Sequence, residues 1–215
     1  TGVKARLNIM KDFKYTISFS SAVRPLVSEE KDEYLALAAL QNIGDFIPDI
    51  NTDRDIDLLP IAFNAFVANR VNKNGDVINT ASSIDIAKHF INKPINVEHN
   101  RDRVIGTILI AGYSEFGTDS PLTYEDVKDM AGPFNVTLGG VVWRSVNGEL
   151  ADLIEESSDP TSDEYLKVSA SWELGFSDFN IVVMADGNKN IENAKFITDS
   201  DEITEMSDNL KALAE

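Results

Sequence analysis

Two histidines, His89 and His99, are the only side chains of this sequence whose ordinary pKa lies near neutrality, and no cysteine accompanies them. Without cysteine there is no disulfide framework, no thiolate nucleophile and no Cys-ligated zinc or iron–sulfur centre. Two histidines also fall short of a His-rich metal site, so any imidazole chemistry must use one of the pair. His99 closes the apolar stretch PINVEH (94–99) and precedes the polar turn NRD (100–102), which places its ring at a sheet rim. His89 lies within TASSIDIAKHFI (80–91), between Lys88 and Phe90 on a helical segment, and reads as structural.

A base needs a nucleophile to serve. In LKVSASW (166–172) the period-two alternation puts Leu166, Val168, Ala170 and Trp172 on one face of a strand and Lys167, Ser169 and Ser171 on the other, with Glu173 continuing the polar face. A serine hydroxyl is a poor nucleophile until a base takes its proton and a further group holds that base in the useful tautomer. Ser169 is a candidate on this polar face, and His99 is the one plausible base that could serve it. The acidic connector NTDRDIDLLP (51–60) imitates a calcium loop through Asp53, Asp55 and Asp57, but it lacks the turn glycine and distal glutamate of an EF-hand and reads as a solvated linker.

The elements that must position these residues are mostly strands. Alternation marks strands within 5–24, at 61–71, 94–99, 103–113, 134–145, 165–176 and 178–185, with Gly139-Gly140 marking a bulge or close backbone approach. Helices are expected at 28–43, capped by Ser28, at 80–91, capped by Thr80 or Ser82, and at 148–158, where Leu150, Leu153 and Ile154 recur at helical spacing. Asn74-Gly75 reads as a tight turn. The tail from Asp199 carries a weak stripe of Met206, Leu210 and Leu213 and is expected to be solvated or disordered. Helices interspersed among more numerous strands predict an α+β class, a mainly antiparallel barrel-like sheet with flanking helices.

Bulk composition narrows the partners. The chain has 215 residues and a formal net charge of 19 − 36 = −17, with its cations scattered, which argues against direct nucleic-acid binding. Its 43% apolar share is that of a soluble protein able to bury a core. There is neither a membrane-spanning run nor the apolar core of a signal peptide at the N-terminus, so a soluble, intracellular protein without membrane partners is expected.

At the candidate residues the chain resembles a family. PINVEHNRDRVIGTI (94–108) is similar to the histidine motif of the phage prohead (head maturation) serine proteases and the herpesvirus assemblins, and KVSASWELGF (167–176) to the nucleophile strand of that fold. The segment NAFVANRVNKNGDVI and the helix after it (64–91) resemble the approach to the histidine in T-even-like phage enzymes, so the likeness spans 61–185. The resemblance implies His99 as general base, Ser169 as nucleophile and Ser171 as a supporting residue near the oxyanion site. The third member of the triad falls on Asn180, whose amide can orient an imidazole but carries no charge, or on Asp178 of the same strand face. The loop ADGNKN (185–190) matches the family's oxyanion loop too weakly to name donors.

The implied activity is a serine endopeptidase, free of metal or organic cofactor, that processes phage scaffold, core and major capsid proteins and itself, within the procapsid or virion of an infected host cytoplasm, with self-association as a further implied partnership. The implied organisation is an N-terminal extension (1–60), a protease-like domain (61–198) and an acidic tail (199–215). Leu213-Ala214-Glu215 resembles the Leu/Ile-x-Glu product end of the T-even enzymes, which makes Thr1 and Glu215 expected processed ends; Leu153-Ile154-Glu155 and Ile203-Thr204-Glu205 are internal matches. The departure at Asn180 keeps open an inert structural protein of the phage head with the same fold. An acidic interaction module unrelated to viruses would instead predict no convergence of His99 with Ser169.

Overall fold

The computed structural model describes residues 15–22, 24–25, 57–176, 178–185 and 187–214. The expected helix at 28–43, most of the acidic connector and both chain ends lie outside these residues.

The centre of the molecule is a strand whose sequence has almost no polar face. FNVTLGGVVW forms β7 (Phe134–Trp143), buried along nearly its whole length, as expected for a strand covered on both sides. β3 (Leu58–Ala68) and β5 (Val104–Glu115) flank it, both antiparallel to it. Two short outer strands, β2 (Arg24–Pro25) and β4 (Pro94–Asn96), complete the order β2-β3-β7-β5-β4, and β6 (Pro121–Leu122) pairs with the far end of β5. Register shifts at Asn64/Phe66 in β3 and Ile108/Ile110 in β5 mark bulges.

The glycine pair of β7 is the close approach its sequence implies. A Cβ on Gly140 would lie 2.5 Å from the Thr107 carbonyl oxygen, and one on Gly139 would lie 2.6 Å from the Ile110 side chain. On one face of β7, Phe134, Val136, Leu138 and Val142 are fully buried. On the other, Asn135 and Thr137 are also buried, and they are satisfied across three strands. Asn135 Nδ2 donates to Ser114 Oγ (3.0 Å) and Asp119 Oδ1 (3.0 Å), and Thr137 Oγ1 donates to Asn64 Oδ1 (2.7 Å).

Helix α1 (Thr80–Phe90) starts one residue earlier than its serine and threonine imply. Asn79 is the cap, its side chain accepting Ser82 N–H at 2.9 Å, while Thr80 Oγ1 donates to the Met130 carbonyl. The short α2 (Tyr124–Val127) carries a capping box of Thr123 and Asp126. Hydrogen bonds from the Thr123 hydroxyl and backbone hold the Asp126 carboxyl below the usual carboxylate range. In Thr123→Ala the Asp126 titration, followed by NMR, is expected to move upward. Because the folded pKa is depressed, the stabilisation is present above the ordinary carboxylate range and is lost as pH falls through the folded value.

Helix α3 (Gly148–Ser158) is capped by Asn147 and buries Ala151, Ile154 and Ser157, a stripe shifted from the larger apolar residues named by its spacing. Its Leu153-Ile154-Glu155 segment is helical and Ile154 is buried, so that bond is not presented in extended form. The tail differs from expectation: residues Ser200–Ala214 form helix α4, with Asp199 Oδ1 accepting the N–H groups of Asp201 (3.1 Å) and Glu202 (3.0 Å) and Ile203 buried. The acidic first turn favours a helix N-terminus, and one buried isoleucine anchors it.

Two ribbons stand outside the six-stranded sheet. β1 (Tyr15–Ala22) pairs antiparallel with β8 (Ser169–Phe176), and β9 (Ile181–Val183) with β10 (Lys195–Ile197). The architecture is thus mixed α+β with an antiparallel sheet, and the described strands do not close into a barrel. Among the described residues no helix is long and apolar enough to cross a membrane.

Candidate active site

β8 is seated by its inward residues. From Val168 to Leu174 burial alternates as the sequence predicts, with Val168, Ala170, Trp172 and Leu174 partly buried and Ser169, Ser171 and Glu173 exposed. Leu166 departs from this pattern. It precedes the strand in a left-handed conformation (φ 59°) and is 59% exposed, because its N–H is held by the Ser157 carbonyl (2.9 Å) at the end of α3. Ser157 Oγ accepts the next free N–H, that of Val168, at 3.0 Å, and the alternation starts there.

Trp172 then fixes the strand against the sheet. Its ring packs on Phe66 (5.2 Å between centroids) and edge-on against Phe90 (5.0 Å). Its Nε1–H donates to the Ala65 carbonyl at 3.1 Å, at the bulge of β3. A rigid anchor one residue away from Ser171 leaves that serine little freedom along the strand.

His99 arrives from the β4 edge of the six-stranded sheet. β4 ends at Asn96, earlier than expected, and residues 97–103 form a double turn leading into β5. Asn100 N–H donates to the Val97 carbonyl at 2.9 Å, and both central residues of this turn are left-handed, Glu98 at φ 53° and His99 at φ 55°. Such a primed turn normally takes Asn-Gly, because a Cβ is crowded in this region. Two non-glycine residues there cost about 1–2 kcal/mol each. The conformation aims the imidazole at β8, where His99 Nε2 and Ser171 Oγ form a hydrogen bond. When Ser171 donates, Nε2 is the bare nitrogen and the ring proton sits on Nδ1.

The sequence pointed to Ser169; the geometry gives His99 to Ser171. Same-face neighbours on a strand are separated by about 6.7 Å, so the nitrogen that meets Ser171 is out of hydrogen-bond reach of Ser169. Among the described residues no hydrogen bond joins Ser169, Asp178 or Asn180 to His99. Asp178 Oδ1 accepts the adjacent Phe179 N–H (2.8 Å), and Asn180 is exposed just before β9. The 185–190 loop is tied elsewhere, with Val71 N–H donating to the Lys189 carbonyl (2.8 Å) and Arg70 Nη1 to Asn190 Oδ1 (2.9 Å). Those contacts sit at the end of β3 opposite, by sheet register, to the one near the His99 loop.

His89 is on the exposed face of α1, 3.9 Å from Asp85 Oδ2. No group of three or more His, Cys, Asp or Glu side chains is arranged to hold a metal among the described residues. No family model, curated protein or solved structure matches the chain.

What remains is an exposed serine–imidazole pair, with serine on a packed strand and imidazole on a constrained turn. Such a pair can generate an alkoxide-like nucleophile at a carbonyl or phosphoryl centre. Both residues were visible in the sequence. Their pairing was not, since alternation puts Ser169 and Ser171 on the same face and cannot choose between them.

Proposed function

We propose that the protein is a serine endopeptidase in which His99 activates Ser171, acting on phage scaffold, core and capsid proteins during head maturation and on itself. The observation that carries the reading is the hydrogen bond between His99 Nε2 and Ser171 Oγ, formed by two segments 72 residues apart. The ordered resemblance of residues 61–185 to prohead proteases, including their barrel-like assemblin-type sheet, supplies the substrate class and the procapsid location.

In the reaction, Ser171 Oγ bonds to the scissile carbonyl carbon while its proton passes to His99 Nε2. That proton then goes to the leaving amine as the C–N bond breaks. Water attacks the acyl-enzyme through the same imidazole, releasing the acid and restoring the hydroxyl. Ser169 takes the place beside the nucleophile that the resemblance gave to Ser171.

A second reading rests on a specific observation: neither Asn180 nor Asp178 hydrogen-bonds to the imidazole, so an inert structural protein of the phage head is the alternative. Co-expression of the precursor with its scaffold and capsid proteins tests both. Processing by the wild-type chain that is lost in Ser171→Ala and His99→Ala supports the peptidase. Equal processing in all three overturns it, and an unprocessed chain that still assembles into heads favours the structural reading.

A further inference from the structure

The imidazole stands on a loop whose side chains are all exposed from Glu98 to Arg103, so the core does not dictate its shape. Three polar contacts of Asn100 run through it, beside an exposed ion pair of Glu98 with Arg103 at 3.9 Å. Asn100 N–H closes the first turn on the Val97 carbonyl (2.9 Å), its carbonyl accepts Arg103 N–H (3.1 Å) to close the second, and its Oδ1 accepts Asp102 N–H (2.9 Å). Val97 N–H to the Arg103 carbonyl (3.1 Å) then ties the two ends together. Asn100 is the joint between a strained turn, with Glu98 and His99 both left-handed, and the turn that leads into β5.

We propose that Asn100 is a positioning residue for His99: its side chain locks the second turn and so holds the first in the left-handed form that brings Nε2 to Ser171. Glu98 and His99 would otherwise relax toward ordinary backbone conformations, swinging the ring off the β8 face. Among the described residues the hydrogen bond that the Asn100 side chain makes is the one accepted at Oδ1, which an aspartate reproduces and an alanine does not.

This inference rests on the serine-acylation reading, and the experiment separates the two. The probe is a fluorophosphonate, in which Ser171 Oγ bonds to phosphorus, fluoride departs and His99 takes the hydroxyl proton. Labelling of the full chain is followed by intact mass and by peptide mapping. Asn100→Ala is expected to slow labelling about 10- to 100-fold, the scale of an ångström-level misplacement. Its melting midpoint should stay within about 4 °C of wild type, as for a surface change. Asn100→Asp should restore the rate to within about threefold, a recovery that a merely bulky or solvated residue would not produce. Wild-type labelling undiminished in Asn100→Ala, or equal loss in the alanine and aspartate variants, overturns the positioning role alone. Absence of labelling in the wild-type chain overturns the acylation reading and this inference with it.

Discussion

Ser171→Ala is expected to abolish fluorophosphonate labelling and any peptide cleavage, and His99→Ala to match it, while Ser169→Ala is slowed only about 10- to 1,000-fold. Where nucleophile and base act as a unit, losing either costs nearly as much as losing both, on the order of 10⁴- to 10⁶-fold. A neighbouring serine that only helps to orient substrate or oxyanion contributes a factor nearer 10 to 1,000. The hierarchy follows from which hydroxyl the imidazole touches: Ser171 meets His99 Nε2, and Ser169 lies one strand repeat, about 6.7 Å, away. Peptide mapping of the labelled chain identifies the reacting serine directly. Adduct on Ser169, with activity lost in Ser169→Ala and kept in Ser171→Ala, would transfer the nucleophile to the position that the family resemblance implies and require the loop 97–103 to shift along β8.

That ambiguity shows what kind of information a single sequence holds. Alternation in KVSASWELGF is local, and the exposure of Ser169, Ser171 and Glu173 against the partly buried Val168, Ala170 and Trp172 follows it. The choice between the serines depends on register over long distances. It is set by where Trp172 docks, at Ala65 and Phe66 of a bulged β3, and by how far the β4–β5 loop reaches. Neither quantity has a signature within ten residues of the site. The same reasoning covers the left-handed Glu98 and His99, because nothing in an EH dipeptide marks a turn that normally takes Asn-Gly.

Caps and glycines fall between these extremes. Asn79 replaces the expected Thr80 or Ser82 because Thr80 is drawn to the Met130 carbonyl, a tertiary partner 50 residues away. The tail becomes helix α4 because Asp199 caps it and Ile203 finds a buried place, although its composition is that of a solvated end. The glycine pair of β7 was legible as a close approach, but which backbone it approaches required the sheet.

Gly106→Ala is expected to destabilise the fold by about 3 kcal/mol or more, beyond ordinary overpacking. At this chain length that corresponds to a melting midpoint lower by about 6–12 °C, or to failure to fold. A Cβ on Gly106 would lie 2.1 Å from the Val141 carbonyl oxygen and 3.0 Å from Val142 Cα. Both obstacles are backbone of the central strand, so no rotamer change relieves them, and β5 must lift away from β7 where Ile105, Ile108 and Val142 are buried. Gly112 lies in the same strand with nothing within 4 Å of its would-be Cβ, so Gly112→Ala is the matched control, expected within about 1 kcal/mol of wild type. The comparison also reaches the site. Gly106 pairs with Ile95 of β4, so the strand that must move carries one arm of the loop bearing His99. Below its melting transition, Gly106→Ala should therefore label more slowly than Gly112→Ala while Ser171 itself stays seated through Trp172. Equal melting and equal labelling of the two variants would mean that β5 does not approach β7 this closely, and the mounting of His99 on that strand would have to be redrawn.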